Sequence, residues 1–263
     1  MNRMFALLKA ECLKVFGDVK IYWLNYIFGN LNVFFMFFGL FYAFSENKQD
    51  DVGKMLFLFG LMYWYFGVHA VDLISILVEE EIEQGTLEQL LMTRTPLAVS
   101  LMFRIVAQIL FDLFKGSFVF VVCTACFQIN FTMMLKMEFW LSVIVFFAGL
   151  AAMYGFGYLI AGLSLVYKQV SSLASISSSL ILFFSGTTIA IDSFPAGIQC
   201  AIKLFPFYWS NFAIREILTN SSKMSWYPLT GLVITAVFWI ISGLLTLHKC
   251  LDTVYEKGTT GTY

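Results

Sequence analysis

The chain has 263 residues, 60% of them hydrophobic and only 13% charged, with a mean hydropathy of +0.81. Soluble domains are nearer half apolar and a quarter charged, so this chain cannot cover a water-facing surface, and its composition is that of an integral membrane protein. A net charge of −1 also excludes a nucleic-acid binder that works through a basic field.

Residues 1–20 intersperse Arg3, Lys9, Lys14 and Lys20 among apolar positions. They lack the short apolar core and cleavage site of a secretory signal, so the first apolar span is expected to stay in the membrane. On a helical wheel Phe5, Leu8, Cys12 and Phe16 share one face, with Leu13 beside them and Lys9 and Lys14 elsewhere. This predicts an amphipathic helix along the inner membrane surface.

A hydrocarbon core needs about 20 apolar residues of helix. Six stretches qualify: 21–44, 55–78, 101–127, 139–166, 172–191 and 229–247. The expected fold class is therefore all-α and polytopic, with six transmembrane helices in a single transmembrane domain spanning 1–263. Short polar punctuation separates most of the spans. Residues 192–228 are longer, and Pro195 and Pro206 divide them into AGIQCAIKLF and FYWSNFAIREILTN. Each piece is too short to cross, and together they carry Lys203, Arg215 and Glu216, which suits a re-entrant or interfacial hairpin. With the N-terminus inside, Arg3, Lys9, Lys14, Lys20, Arg94, Arg104, Lys168, Lys249 and Lys257 fall on that side. Lys48, Lys54, Lys136, Lys203, Arg215 and Lys223 fall outside. The bias favours both termini in the cytoplasm, including a tail at 248–263, and an external hairpin.

The segment between the second and third spans, EEEIEQGTLEQLLMTRTP at 79–96, is dense in carboxylates. Glu79 to Gln84 can carry the second helix out into water, and Gly85 suits the left-handed position that ends a helix. Thr86 then reads as an N-cap, with Gln89 completing a capping box. Leu87, Leu90 and Leu91 form an apolar edge of the short helix that follows. Thr95-Pro96 predicts a second N-cap with proline at the first helical position of the third span. The result is a rigid amphipathic elbow, suited either to docking in a groove of another protein or to lying on the surface as a solvated connector.

IEQGTLEQLLMTRTP resembles the E-x-G-T-L-E-x-L-x-x-T-P stretch of the ABC-2 family of export permeases, through Ile82, Glu83, Gly85, Thr86, Leu87, Glu88, Leu90, Thr95 and Pro96. GLSLVYKQVSSLASISSSLILFFSGTTIAIDSFP is similar to that family's fourth and fifth spans, and FPFYWSNFAIREIL places Pro206 and Arg215 where its external insert has them. The resemblance implies a coupling element at 79–96, carried by Glu83, Gly85, Thr86, Leu87, Glu88, Leu90, Leu91 and Arg94, seated on a separate ATPase subunit. It further implies two permease halves, identical or homologous, and export through contacts on the first, second and fifth spans. ATP and Mg would be bound by the partner and no cofactor by this chain. The cargo would be a drug, peptide antibiotic or lipid-like substrate, and the location a bacterial plasma membrane. The sequence agrees in encoding no P-loop: its one Gly-Lys pair, Gly53-Lys54, precedes Met55 and has Lys48 where the first glycine belongs.

Other polar residues admit two readings. His69 and Asp72 lie three apart in the second span, and Asp112 and Lys115 three apart in the third. Intramembrane ionisable groups line a pathway or relay protons, as in a self-powered secondary transporter, or they neutralise each other within one helix. Ser171, Ser175 and Ser179 repeat at helical spacing in the fifth span and either line a polar path or join helices; Ala148/Ala152 and Ala151/Gly155 allow close helix contact. Trp23, Trp64, Trp140, Trp209 and Trp226 read as an interfacial belt. Cys123 and Cys126 form a lone C-x-x-C, better suited to packing than to metal. No hydrolase motif is present, and the two histidines, His69 and His248, are far apart. Neither a catalytic nor a metal residue is assigned.

Overall fold

The computed structural model describes residues 3–44, 50–93, 95–167, 171–184, 191, 194–219 and 226–257, and among them the chain is helical with no strand. The helices are α1 (Arg3–Ile21), α2 (Trp23–Phe44), α3 (Asp51–Glu83), α4 (Leu87–Leu91), α5 (Leu97–Cys126), α6 (Met137–Tyr167), α7 (Ser171–Phe184), α8 (Ala196–Ile202), α9 (Pro206–Thr219) and α10 (Trp226–Lys257); a 3-10 turn (Phe131–Leu135) joins α5 to α6. Five of them, α2, α3, α5, α6 and α10, are long and apolar enough to cross a membrane. The remaining expected span, 172–191, is represented by α7, whose 14 residues fall short of a crossing. Its continuation at 185–190 lies outside the described residues, as do 192–193 and 220–225 of the expected hairpin and 258–263 of the expected tail.

α3 and α6 form the centre. α6 packs against α10, α3 and α9, and α3 also meets α5, α7 and α9. The close approaches are made by glycines. A Cβ on Gly243 would run into the Gly155 carbonyl, and one on Gly155 would stand 2.6 Å from the Ile240 amide, so α6 and α10 touch backbone to backbone. Ala148 and Ala151, expected at such a contact, are exposed; Ala152 is buried. Gly243→Ala is accordingly expected to lower the Tm of the purified protein, at an overpacking cost of about 1–3 kcal/mol. Gly197→Ala, where a Cβ meets nothing within 4 Å, is the control and is expected not to.

The outer faces of α2 and α10 stay apolar and exposed, with Phe28, Phe35, Ile234, Phe238 and Leu245 among them. Such a surface suits lipid rather than water.

α1 packs on α5 and α2 through one face and leaves much of the expected apolar edge turned outward. Leu8, Glu11, Cys12 and Val15 are half-buried, whereas Phe5, Leu13 and Phe16 are exposed. An ion pair joins Glu11 to Arg104 of α5. α1 runs almost directly into α2, the Tyr22 amide bonding the Asp18 carbonyl at 2.8 Å.

The two expected pieces of the 192–228 insert are α8 and α9. Pro195 caps α8 and Pro206, buried, is the first residue of α9, where its missing N–H leaves no orphan donor. Their corner reaches far along the bundle. The Leu204 carbonyl accepts from Trp239 Nε1 at 2.8 Å, and Phe205 stacks on the Trp239 ring at 5.3 Å. Trp239 is 13 residues from the start of α10, about 20 Å along that helix. Trp209 does not join a belt: it is 8% exposed and donates to the Lys203 carbonyl at 2.7 Å. Trp23, Trp140 and Trp226 are exposed.

Candidate functional site

The bend between α3 and α5 is built by backbone geometry. Gly85 sits at φ +67°. Its amide bonds the Ile82 carbonyl at 3.1 Å, and the Thr86 amide bonds the Glu81 carbonyl at 3.0 Å. This pair is the Schellman arrangement, which satisfies the last carbonyls of α3 while turning the chain. A Cβ on Gly85 would meet nothing within 4 Å, so the demand for glycine is purely torsional.

Thr86 opens α4 through its carbonyl, which accepts from the Leu90 amide at 3.0 Å. Its hydroxyl does not form the expected capping box with Gln89. It turns back to donate to Glu81 Oε2 at 2.5 Å, because a carboxylate is a stronger acceptor partner than a backbone amide is a donor. Pro96 also departs from expectation: it is the N-cap of α5 at ψ 141° rather than the first helical residue. The Thr95 hydroxyl pairs with that of Thr93 at 3.0 Å.

The apolar edge of α4 faces inward. Leu87 is 3% exposed and shares a core with Val78, Ile82, Leu97, Leu101, Leu165 and Val254, while Leu90 and Leu91 pack against it. The elbow is thereby seated on the bundle, and its outward rim is Glu83, Gln84, Gly85, Gln89, Met92 and Thr93. Met92, just past the end of α4, is 88% exposed and is a rim residue that the motif alone does not include. The Glu88 side chain and Arg94 lie outside the described residues.

Glu81 has a further partner. Arg104 Nη1 donates to Glu81 Oε1 at 2.6 Å, and Arg104 Nε stands 3.4 Å from Glu11 Oε1, an ion-pair contact. Sequence reasoning did not single out Glu11 and Arg104 as site residues, although an arginine one turn inside an apolar run calls for a carboxylate.

Within the spans the structure regroups the expected pairs. Asp112 and Lys115 pair within α5 at 2.7 Å, but His69 does not pair with Asp72. His69 Nδ1 instead reaches across from α3 to within 3.5 Å of Asp112 Oδ2, and Gln108 donates to Asp112 Oδ1 at 3.4 Å. A buried carboxylate offers more lone pairs than one lysine can occupy, so Gln108 donates to it from the same helix, while the His69 ring approaches from α3 without a hydrogen bond. The Lys115 ammonium also lies 5.0 Å from the Phe111 ring centroid and 5.6 Å from that of Tyr26. Asp72 Oδ1 is buried without a hydrogen-bond partner among the described residues. Ser179 is exposed beside Ile176, Leu180, Phe183 and Phe184, which line a shallow depression on α7; the Ser175 side chain is outside the described residues. Arg215 is exposed on α9.

A comparison with curated proteins gives no match. The family model described as ABC-2 type transporter matches residues 2–219, a stretch that runs from α1 through the elbow to the end of α9. A helical bundle with membrane-length apolar helices and a match over most of its length places this chain in the ABC-2 type transporter family.

Proposed function

We propose that this chain is the membrane-spanning subunit of an ATP-driven exporter, powered by a separate ATPase subunit that seats on the elbow at 79–96. Family membership makes the chain a multi-pass transport permease rather than a catalytic domain. The observation that carries the finer reading is the elbow itself. Its turn is closed by two backbone bonds, its leucines are anchored in the core, and its rim from Glu83 to Thr93 is solvent-facing and mixes carboxylate, amide and thioether groups. A force applied to that rim reaches α3 and α5 through a stiff joint. A solvated connector would need neither the anchoring nor the closed turn.

In this reading two permease copies, or this chain and a homologue, enclose the conduit, with ATP and Mg held by the partner. The cargo is a drug, a peptide antibiotic or a lipid-like molecule, and the protein resides in a bacterial plasma membrane with both termini cytoplasmic. The depth of the α8–α9 corner at Trp239 supports a re-entrant hairpin on the outer side.

The rival reading is a self-powered secondary transporter. The favouring observation is the cluster of His69 and Lys115 on the buried Asp112, with the Asp72 oxygen that has no hydrogen-bond partner among the described residues nearby in sequence. Vesicles containing the chain with and without a co-expressed ATPase separate the two. Transport is expected under ATP and only with the ATPase; transport driven by an ion gradient alone would replace the exporter reading with the secondary one.

A further inference from the structure

Besides Asp112, a second shared charge in the described structure is Arg104. It contacts carboxylates from two different helices, Glu81 near the end of α3 at 2.6 Å and Glu11 in the middle of α1 at 3.4 Å. All three side chains are largely withdrawn from solvent, at 13% exposure for Arg104 and Glu81 and 20% for Glu11, so the contacts escape most of the screening that weakens surface ion pairs. Glu81 is itself the residue that holds the elbow closed, because its carbonyl receives the Thr86 amide and its carboxylate receives the Thr86 hydroxyl. α1 has its main packing on α5 and α2. Packing alone therefore gives α1 little grip on α4.

We propose that Arg104 is a positioning residue that couples the elbow to α1, so that a displacement of α4 is delivered to the N-terminal helix as well as to α3 and α5. This rests on the reading that the elbow receives an ATPase. A guanidinium fits this role because its rigid fork can address two carboxylates at once, whereas a lysine ammonium is a single point charge on a flexible stem. The linkage passes from the elbow through Thr86 and Glu81 to Arg104 on α5, and from there to Glu11 on α1. α1 continues into α2 with only Tyr22 between them, so the movement carries on into the first membrane-length helix.

The test compares Glu11→Gln and Arg104→Lys with the parent in complex with its ATPase. Neither variant touches the rim of the elbow, so the ATPase is expected to co-purify with both at the parent level. Export per ATP hydrolysed is expected to fall about fivefold or more in each, the lower end of ordinary coupling between sites. Spin labels at the exposed positions Lys9→Cys and Glu80→Cys, with Cys12, Cys126, Cys200 and Cys250 changed to serine, report the separation of α1 from the end of α3 that carries the elbow. That separation is expected to stay constant under ATP in the parent background, because α1 follows the elbow, and to change with Glu11→Gln. An unchanged ratio of export to hydrolysis in the assembled complexes would overturn the proposal, and so would a lowered Tm with that ratio intact, which would mark the cluster as purely structural. Failure of the parent chain itself to retain an ATPase would instead remove the reading of the elbow on which the proposal rests.

Discussion

Asp112→Ala is expected to be the most destabilising single change in the membrane interior, by about 3–5 kcal/mol, the usual result of stripping one partner from a buried ion pair. The carboxylate is 3% exposed and gathers Lys115, His69 and Gln108 from two helices. Its removal leaves the Lys115 ammonium, 13% exposed, with the faces of Phe111 and Tyr26 as its near company among the described residues. Those contacts contribute about 0.5–2 kcal/mol, too little to replace the carboxylate. The measurement is Tm and the fraction of folded protein recovered in detergent. Asp112→Leu combined with Lys115→Leu removes both charges together and is expected to recover most of the loss, because a well-packed apolar pair often matches a buried ion pair in stability. If the single and double variants are equally damaged, the lysine is not the source of the cost.

Gly85→Val is expected to reduce export at least about tenfold, a loss of about 1.4 kcal/mol in coupling, while insertion and the ATPase's own hydrolysis persist. At φ +67° an L-residue costs about 1–2 kcal/mol, and a β-branched residue suffers most there. No neighbour would clash with the new side chain. The strain therefore acts on the turn, opening the Gly85–Ile82 and Thr86–Glu81 bonds while the leucine core holds. Gly85→Asn, which tolerates the left-handed region, is expected to stay near the parent. Vesicle export measured beside ATP hydrolysis decides it: equal export by the valine and asparagine variants would show that the turn's stiffness is not used.

Both predictions show where local sequence signals suffice and where they stop. Gly85 as the terminator of α3 and Pro206 as the opener of α9 were legible because torsional preferences act within a few residues of chain. His69–Asp72 was misread for the complementary reason. Spacing of three on one helix shows that two side chains could meet, but not that a carboxylate on the neighbouring helix comes closer. Glu11 likewise found Arg104, a partner 93 positions away in the chain that no helical spacing on α1 announces. Trp209 looked like an interfacial residue until α9 folded into the bundle, where its indole N–H found the Lys203 carbonyl.

The amino-acid sequence alone determined that this is a helical membrane protein with an elbow between its second and third apolar runs, and that the elbow needs glycine at 85. These follow from transfer free energy and backbone torsion, which are properties of short stretches. Only the tertiary structure decided which way the elbow's leucines face and which helices share Asp112 and Arg104. Buried charges and apolar edges choose among every partner the fold brings near, and sequence distance carries no information about that choice.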